Sequence, residues 1–199
     1  MEKQIENIIR KIKDGSLILW VGSGYSRRLG FPDWKGLIKK LGEEHYKEDK
    51  DCLNNFLEKL DKPNCNLLEL LESLNDKENR NVLLGRLTEI FKLPHENIHD
   101  SRYNPFRKLW EITDKIITTN YDLALDITKK GEDCRTILWN REKDYSTIIE
   151  NRAKYLFKLH GSIKYSESCV VFKDQYDNVY KKIYGKLKPI YKYISQFTK

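Results

Sequence analysis

Leu17-Ile-Leu-Trp-Val-Gly-Ser-Gly-Tyr-Ser-Arg-Arg-Leu-Gly-Phe-Pro-Asp-Trp-Lys-Gly36 joins a short apolar run to a glycine-rich turn. Leu17 to Val21 read as one buried parallel strand, because nothing polar interrupts them. Gly22-Ser23-Gly24 then turns the chain where a side chain would obstruct a close ligand. If the turn opens a helix, its free backbone N–H groups point at an anion, typically a pyrophosphate. An ordinary strand-to-helix turn accounts for the same three residues equally well.

Two later segments have the same form. Lys115-Ile-Ile-Thr-Thr-Asn-Tyr-Asp122 is a second buried strand ending in Asn120 and Asp122. Tyr155-Leu-Phe-Lys-Leu-His-Gly-Ser162 is a third, ending in His160 and Gly161. Ligands of open parallel sheets bind beyond the carboxyl ends of the strands, so the three ends are expected to meet at one crevice. Taken singly, His160 is also a satisfied structural histidine, and Asn120 and Asp122 are also helix caps.

The 199 residues suffice for one domain with a real core. Hydrophobic residues make up 39%, which argues for a globular chain and against disorder. No apolar run approaches a membrane span, and Met1-Glu-Lys-Gln-Ile-Glu6 lacks the pattern of a secretory signal. A cytoplasmic protein without membrane contact is the expectation. Cys52, Cys65, Cys134 and Cys169 fall in no C-x-x-C spacing, which argues against structural zinc and for reduced thiols. His95 and His99 lie four apart, but Pro94 and only Glu96 and Asp100 nearby make a poor ligand set. No metal is expected. The net charge is +7, and from Lys173 onward seven lysines stand against two aspartates. That basic end either attracts nucleic acid or an acidic partner, or is a solvated helix face.

Along the chain, Ile5, Ile8, Ile9 and Ile12 share one helical face. Asp33 is placed to cap a helix carrying Trp34, Leu37, Ile38 and Leu41. From about Asp51 to Leu93 the pattern is entirely helical, with leucine stripes punctuated by Pro63 and Pro94. It reads as a helical insertion, about 48–104, after the first βα unit. Pro105 to Trp110, Asp122 to Thr128 and Ser146 to Glu150 read as helices. Ile116–Thr119, Thr136–Trp139, Leu156–Leu159 and, near an edge, Cys169–Phe172 read as strands. Leu187, Ile190, Tyr191, Ile194 and Phe197 define a last amphipathic helix, with Pro189 in its first turn. This alternation predicts an α/β fold, a Rossmann-like, mostly parallel sheet with helices on both faces.

Gly22-Ser23-Gly24-Tyr25-Ser26 followed by Gly30-Phe-Pro-Asp33-Trp34-Lys35 resembles the sirtuin (SIR2) signature G-A-G-x-S … G-I-P-D-F-R. Thr119-Asn120-Tyr121-Asp122 resembles the sirtuin Q-N-x-D segment, and His160-Gly161 its H-G pair. The resemblance spans about Leu17 to Val171. Sirtuin deacetylases follow H-G with two zinc-binding cysteine pairs, whereas only Cys169 follows here, so the zinc ribbon is absent. The chain looks more like the SIR2-like domains of bacterial anti-phage defence systems. That likeness implies one SIR2-like domain over 1–199, hydrolysis of NAD+, a homo-oligomer, and a fused or separate phage-sensing partner. Such domains continue with strands carrying a Gly-rich adenosine-ribose contact. No such segment is found, which leaves a piece of a longer chain or a shortened adenosine half-site as the expectation.

The resemblance also implies roles. Asn120 would hold a water or a ribose hydroxyl, since an amide cannot act as a base. His160, with an ordinary pKa near ~6.5, would take a proton from either. Asp122 would bond the nicotinamide carboxamide. Gly22, Ser23 and Gly24 would receive the pyrophosphate, and Ser26 would add a hydroxyl. Asp33, Thr119 and Gly161 fall at cofactor-contacting positions of the same motifs. Trp34 stands where sirtuins carry a flap phenylalanine that shields the ribose. Arg27 and Arg28 either add charge or face solvent. On the same cofactor, a deacylase, an ADP-ribosyltransferase or a catalytically silent NAD+ or ADP-ribose-binding module are the alternatives to hydrolysis.

Overall fold

The computed structural model describes residues 2–75, 80–93, 99–150 and 153–186. A four-stranded, all-parallel sheet forms its centre: β1 (Leu19–Val21), β2 (Lys115–Thr118), β3 (Arg135–Leu138) and β4 (Tyr155–Lys158), in the order β1-β2-β4-β3. The apolar runs become strands because both sheet faces are covered. Ile116 pairs with Leu156 and faces one side, while Ile117, Phe157 and Ile137 lie in register on the other. All five are 0 to 3% exposed, and each such side chain contributes roughly 2 kcal/mol by leaving water.

The helices are α1 (Glu2–Lys13), α2 (Ser23–Ser26), α3 (Trp34–His45), α4 (Lys50–Leu60), α5 (Leu67–Asn75), α6 (Arg80–Ile90), α7 (Asn104–Ile112), α8 (Ala124–Thr128), α9 (Tyr145–Ile149) and α10 (Lys173–Lys186). Asp33 caps α3 by accepting from Gly36 N at 2.8 Å, as its position predicted. The leucine stripes of α4 to α6 pack with α3, α7 and α8 against the Ile116 face. The opposite face is covered by α9 and α10. The isoleucine stripe of α1 forms a helix as predicted, but Ile5, Ile8, Ile9 and Ile12 remain 39 to 50% exposed.

Two expectations need correction or fall elsewhere. Cys169–Phe172 is buried but is not a strand. The Val171 and Phe172 N–H groups both donate to Gln175 Oε1, at 2.9 and 3.0 Å, which removes them from any ladder and turns the chain into α10. That helix, absent from the periodicity reading, buries Val179 and Ile183 completely in the core, so this part of the basic end is more than a solvated face. The helix expected over Leu187–Phe197 lies outside the described residues, as do Pro94, His95 and Glu96.

The topology fixes where a ligand can sit. After β2 the chain crosses to α8 on one face, whereas after β4 it crosses to α10 on the other. These two strands are neighbours, so their outgoing loops diverge and open a crevice at their carboxyl ends.

Candidate functional site

A cavity of about 180 Å³ occupies that crevice. It is lined by Ser23 and Ser26 from the glycine turn, by Asp33 and Trp34 at the start of α3, by Thr119, Asn120 and Asp122 after β2, and by His160 after β4. Eight residues singled out from three separate sequence segments therefore share one space. Gly22, Gly24 and Gly161 do not line it.

Asn120 is the connecting residue. It is 7% exposed, and its Nδ2 donates to the Gly22 carbonyl at 3.0 Å and to Ser26 Oγ at 2.8 Å. Ser26 Oγ in turn donates to Asp122 Oδ2 at 2.7 Å, and Asp122 Oδ1 accepts from Ala124 N at 3.0 Å. The amide thus ties the glycine turn to the end of β2. Its Oδ1 is buried and accepts no hydrogen bond among the described residues. An acceptor left in that state costs free energy unless a donor is brought to it. Asp122 thus receives the first backbone N–H of α8 without being its cap residue, which is Leu123, and a carboxylate accepting two bonds still has lone pairs to offer.

His160 Nε2 lies 3.1 Å from the Tyr180 hydroxyl, and the Tyr176 ring stands edge-on to the imidazole at 5.2 Å between centroids. Burial disfavours the charged ring and lowers its pKa to about 4, so the imidazole is neutral at cell pH. Gly161, next to it, has φ +82, and a Cβ there would lie 2.1 Å from the Ser168 carbonyl oxygen. This glycine serves close backbone packing that aims the histidine. Gly22 and Gly24 differ, since a Cβ at either would meet no atom within 4 Å. The protein's own packing does not demand glycine at those two positions.

The cavity also contains residues that the motifs did not indicate: Phe91 at the end of α6, Tyr121, and Tyr176 on α10. Tyr176 and Trp34 approach to 6.4 Å across it, ring edge to ring face. No periodic signal marks Tyr176, because its role depends on where α10 docks. Asp33 Oδ2 is 3.8 Å from Arg27 Nη1, both largely exposed, so Arg27 has a surface partner, worth little in water.

Comparison with known proteins agrees with this arrangement. Residues 114–198 match the family model described as SIR2-like domain. Over that stretch the chain is similar to SIR2-like domains. It is 24% identical over 181 residues to NAD(+) hydrolase ThsA of Cytobacillus dafuensis, covering 88% of this chain and 32% of that protein. It is 27% identical over 188 residues to Defense-associated sirtuin 2 of Bacillus subtilis, covering 87% of this chain and 16% of the other. NAD(+) hydrolase ThsA of Acinetobacter baumannii (strain 532279) is 24% identical over 181 residues, covering 87% of this chain and 33% of that protein. The chain thus spans a third or less of the length of these relatives. The matched model starts next to β2 and includes both Asn120 and His160. Among the described residues, no three His, Cys, Asp or Glu side chains converge on a possible metal site, and no helix is long and apolar enough to cross a membrane.

Proposed function

We propose that this SIR2-like domain hydrolyses NAD+ at the bond between nicotinamide and ribose, as the effector part of an anti-phage system. The observation that carries the reading is the Asn120 amide, whose Oδ1 has no donor, in one cavity with a neutral His160. The names of two relatives, NAD(+) hydrolase, and of a third, defense-associated sirtuin, support the substrate and the setting.

In this reading the nicotinamide ribose enters the cavity. At about 180 Å³ it is smaller than the roughly 300–1,000 Å³ of drug-sized sites, so it takes the reactive end and not the whole dinucleotide. The pyrophosphate lies over Gly22–Gly24, where no side chain intrudes. The C–N bond breaks as nicotinamide leaves with its electron pair, losing its positive charge. A water oxygen bonds to the ribose C1′, and the proton it sheds passes to His160 and then to solvent. Asn120 Oδ1 accepts from that water or from a ribose hydroxyl and fixes its direction. Trp34 and Tyr176 keep bulk water from the developing oxocarbenium ion.

The experiment is incubation of the purified protein with NAD+ and chromatography of the products. Nicotinamide and free ADP-ribose in equal amounts are expected, and both are lost in His160→Ala. O-acyl-ADP-ribose or labelled protein would instead assign group transfer, and calorimetric NAD+ binding without turnover would assign a binding module.

A further inference from the structure

Beneath the cavity lies a lysine that neither the motifs nor the proposed chemistry uses. Lys158 ends β4, two residues before His160, and is 0% exposed. Its ammonium meets Asp126 Oδ2 at 3.0 Å, the Asp122 carbonyl at 2.5 Å and the Tyr121 carbonyl at 3.4 Å. Three acceptors match the three N–H donors of the group. Asp126 is itself anchored, because Thr136 Oγ1 of β3 donates to its Oδ1 at 3.1 Å.

A buried charge is a poor filler, since an apolar side chain of similar volume occupies such a place without desolvation. What only the ammonium supplies is attraction for two successive carbonyls just where the chain leaves β2. Those carbonyls belong to the segment that presents Asn120 and Asp122 to the cavity. The last residue of β4 is therefore the anchor of the opposite wall, and the imidazole follows two residues later. We propose that Lys158 is the positioning residue of this site: paired with Asp126, it holds the Tyr121–Asp122 carbonyls and so sets the placement of the Asn120 amide against His160. The inference rests on the proposed hydrolysis for its kinetic consequence, but not for its geometric one.

The test compares Lys158→Met, Lys158→Arg and Asp126→Asn with the wild-type chain. Thermal unfolding, hydrogen exchange of the Asn120 and Ala124 amides, and kcat and KM for nicotinamide release are measured. Those amides are bonded to Thr118 Oγ1 and Asp122 Oδ1 and report directly on the segment. In folded Lys158→Met both amides are expected to exchange at least about tenfold faster, and kcat to fall by about tenfold or more while KM moves by less than about threefold. Lys158→Arg should recover part of both. Wild-type exchange and kcat in a folded Lys158→Met protein would overturn the proposal. If that variant does not fold, Asp126→Asn gives the same two readouts, and failure of all three to fold would assign the lysine to stability alone. Should the wild-type protein release no nicotinamide, hydrolysis falls while amide exchange still decides the placement of the segment.

Discussion

Asn120 Nδ2 and the carbonyl oxygen of Gly22, 98 residues apart in the chain, lie 3.0 Å from each other. This bond locks the glycine turn after β1 to the end of β2, and it occupies the donor half of the amide while leaving the acceptor half open. Asn120→Ala therefore removes a structural tie together with the proposed ligand contact. Nicotinamide release is expected to fall by about 100-fold or more, as for loss of a positioned polar group. Stability should fall by roughly 1–3 kcal/mol, measured by urea unfolding, because the Gly22 carbonyl loses a buried donor. Undiminished turnover in this variant would remove Asn120 from the mechanism.

His160 gives a pH prediction with a definite sign. Burial lowers its pKa to about 4, below the ordinary 6.5. The neutral imidazole is then present throughout the physiological range, so if it acts as the proposed base, kcat/KM should show no break near pH 6.5 and should decline only as pH approaches about 4. For stability, the unfolded chain binds the proton before the folded one does. The stabilisation from keeping the ring neutral is whole above pH 6.5 and is lost as pH falls towards 4. Replacing His160 by Gln should flatten this acid dependence in thermal unfolding. A kinetic break at pH 6.5 would show the ring to be solvated.

The three site glycines should separate by phenotype. Gly161→Ala places a Cβ 2.1 Å from the Ser168 carbonyl at φ +82, and a loss of several kcal/mol, roughly 2–4, is expected. Gly22→Ala and Gly24→Ala meet no protein atom within 4 Å, so their unfolding midpoints should hold. If the turn receives a pyrophosphate, the same two variants should weaken NAD+ binding in calorimetry. Normal affinity in both would leave the turn without a ligand role.

Trp34 and Tyr176 both line the cavity as an edge-to-face pair, with ring centroids 6.4 Å apart. Trp34→Ala opens that wall. KM for NAD+ is expected to rise about tenfold, equivalent to ~1.4 kcal/mol of lost binding, with the fold retained. An unchanged KM would place Trp34 outside the ribose contact.

The sequence by itself determined the strands and the chemistry at their ends. The apolar run Leu17–Val21 and the apolar-rich stretches Lys115–Thr119 and Tyr155–Leu159 point to strands of a parallel sheet covered on both faces, and such sheets present polar residues at their carboxyl ends. Eight of the eleven residues named from those segments accordingly line one cavity. Helix spacing likewise located α3 to α6, since their apolar stripes are local properties of the chain. Tertiary structure alone decided the rest. Cys169–Phe172 has strand-forming composition, yet the Gln175 side chain takes its N–H groups, and the outcome turns on that competition. Tyr176, Tyr180 and Lys158 carry no motif, because their roles depend on which strand neighbours which and on the face where α10 docks. Gly22, Gly24 and Gly161 looked alike in sequence, but of these three only Gly161 is held by the protein's own packing, as a Cβ clash is a property of approaching backbones and not of the residue.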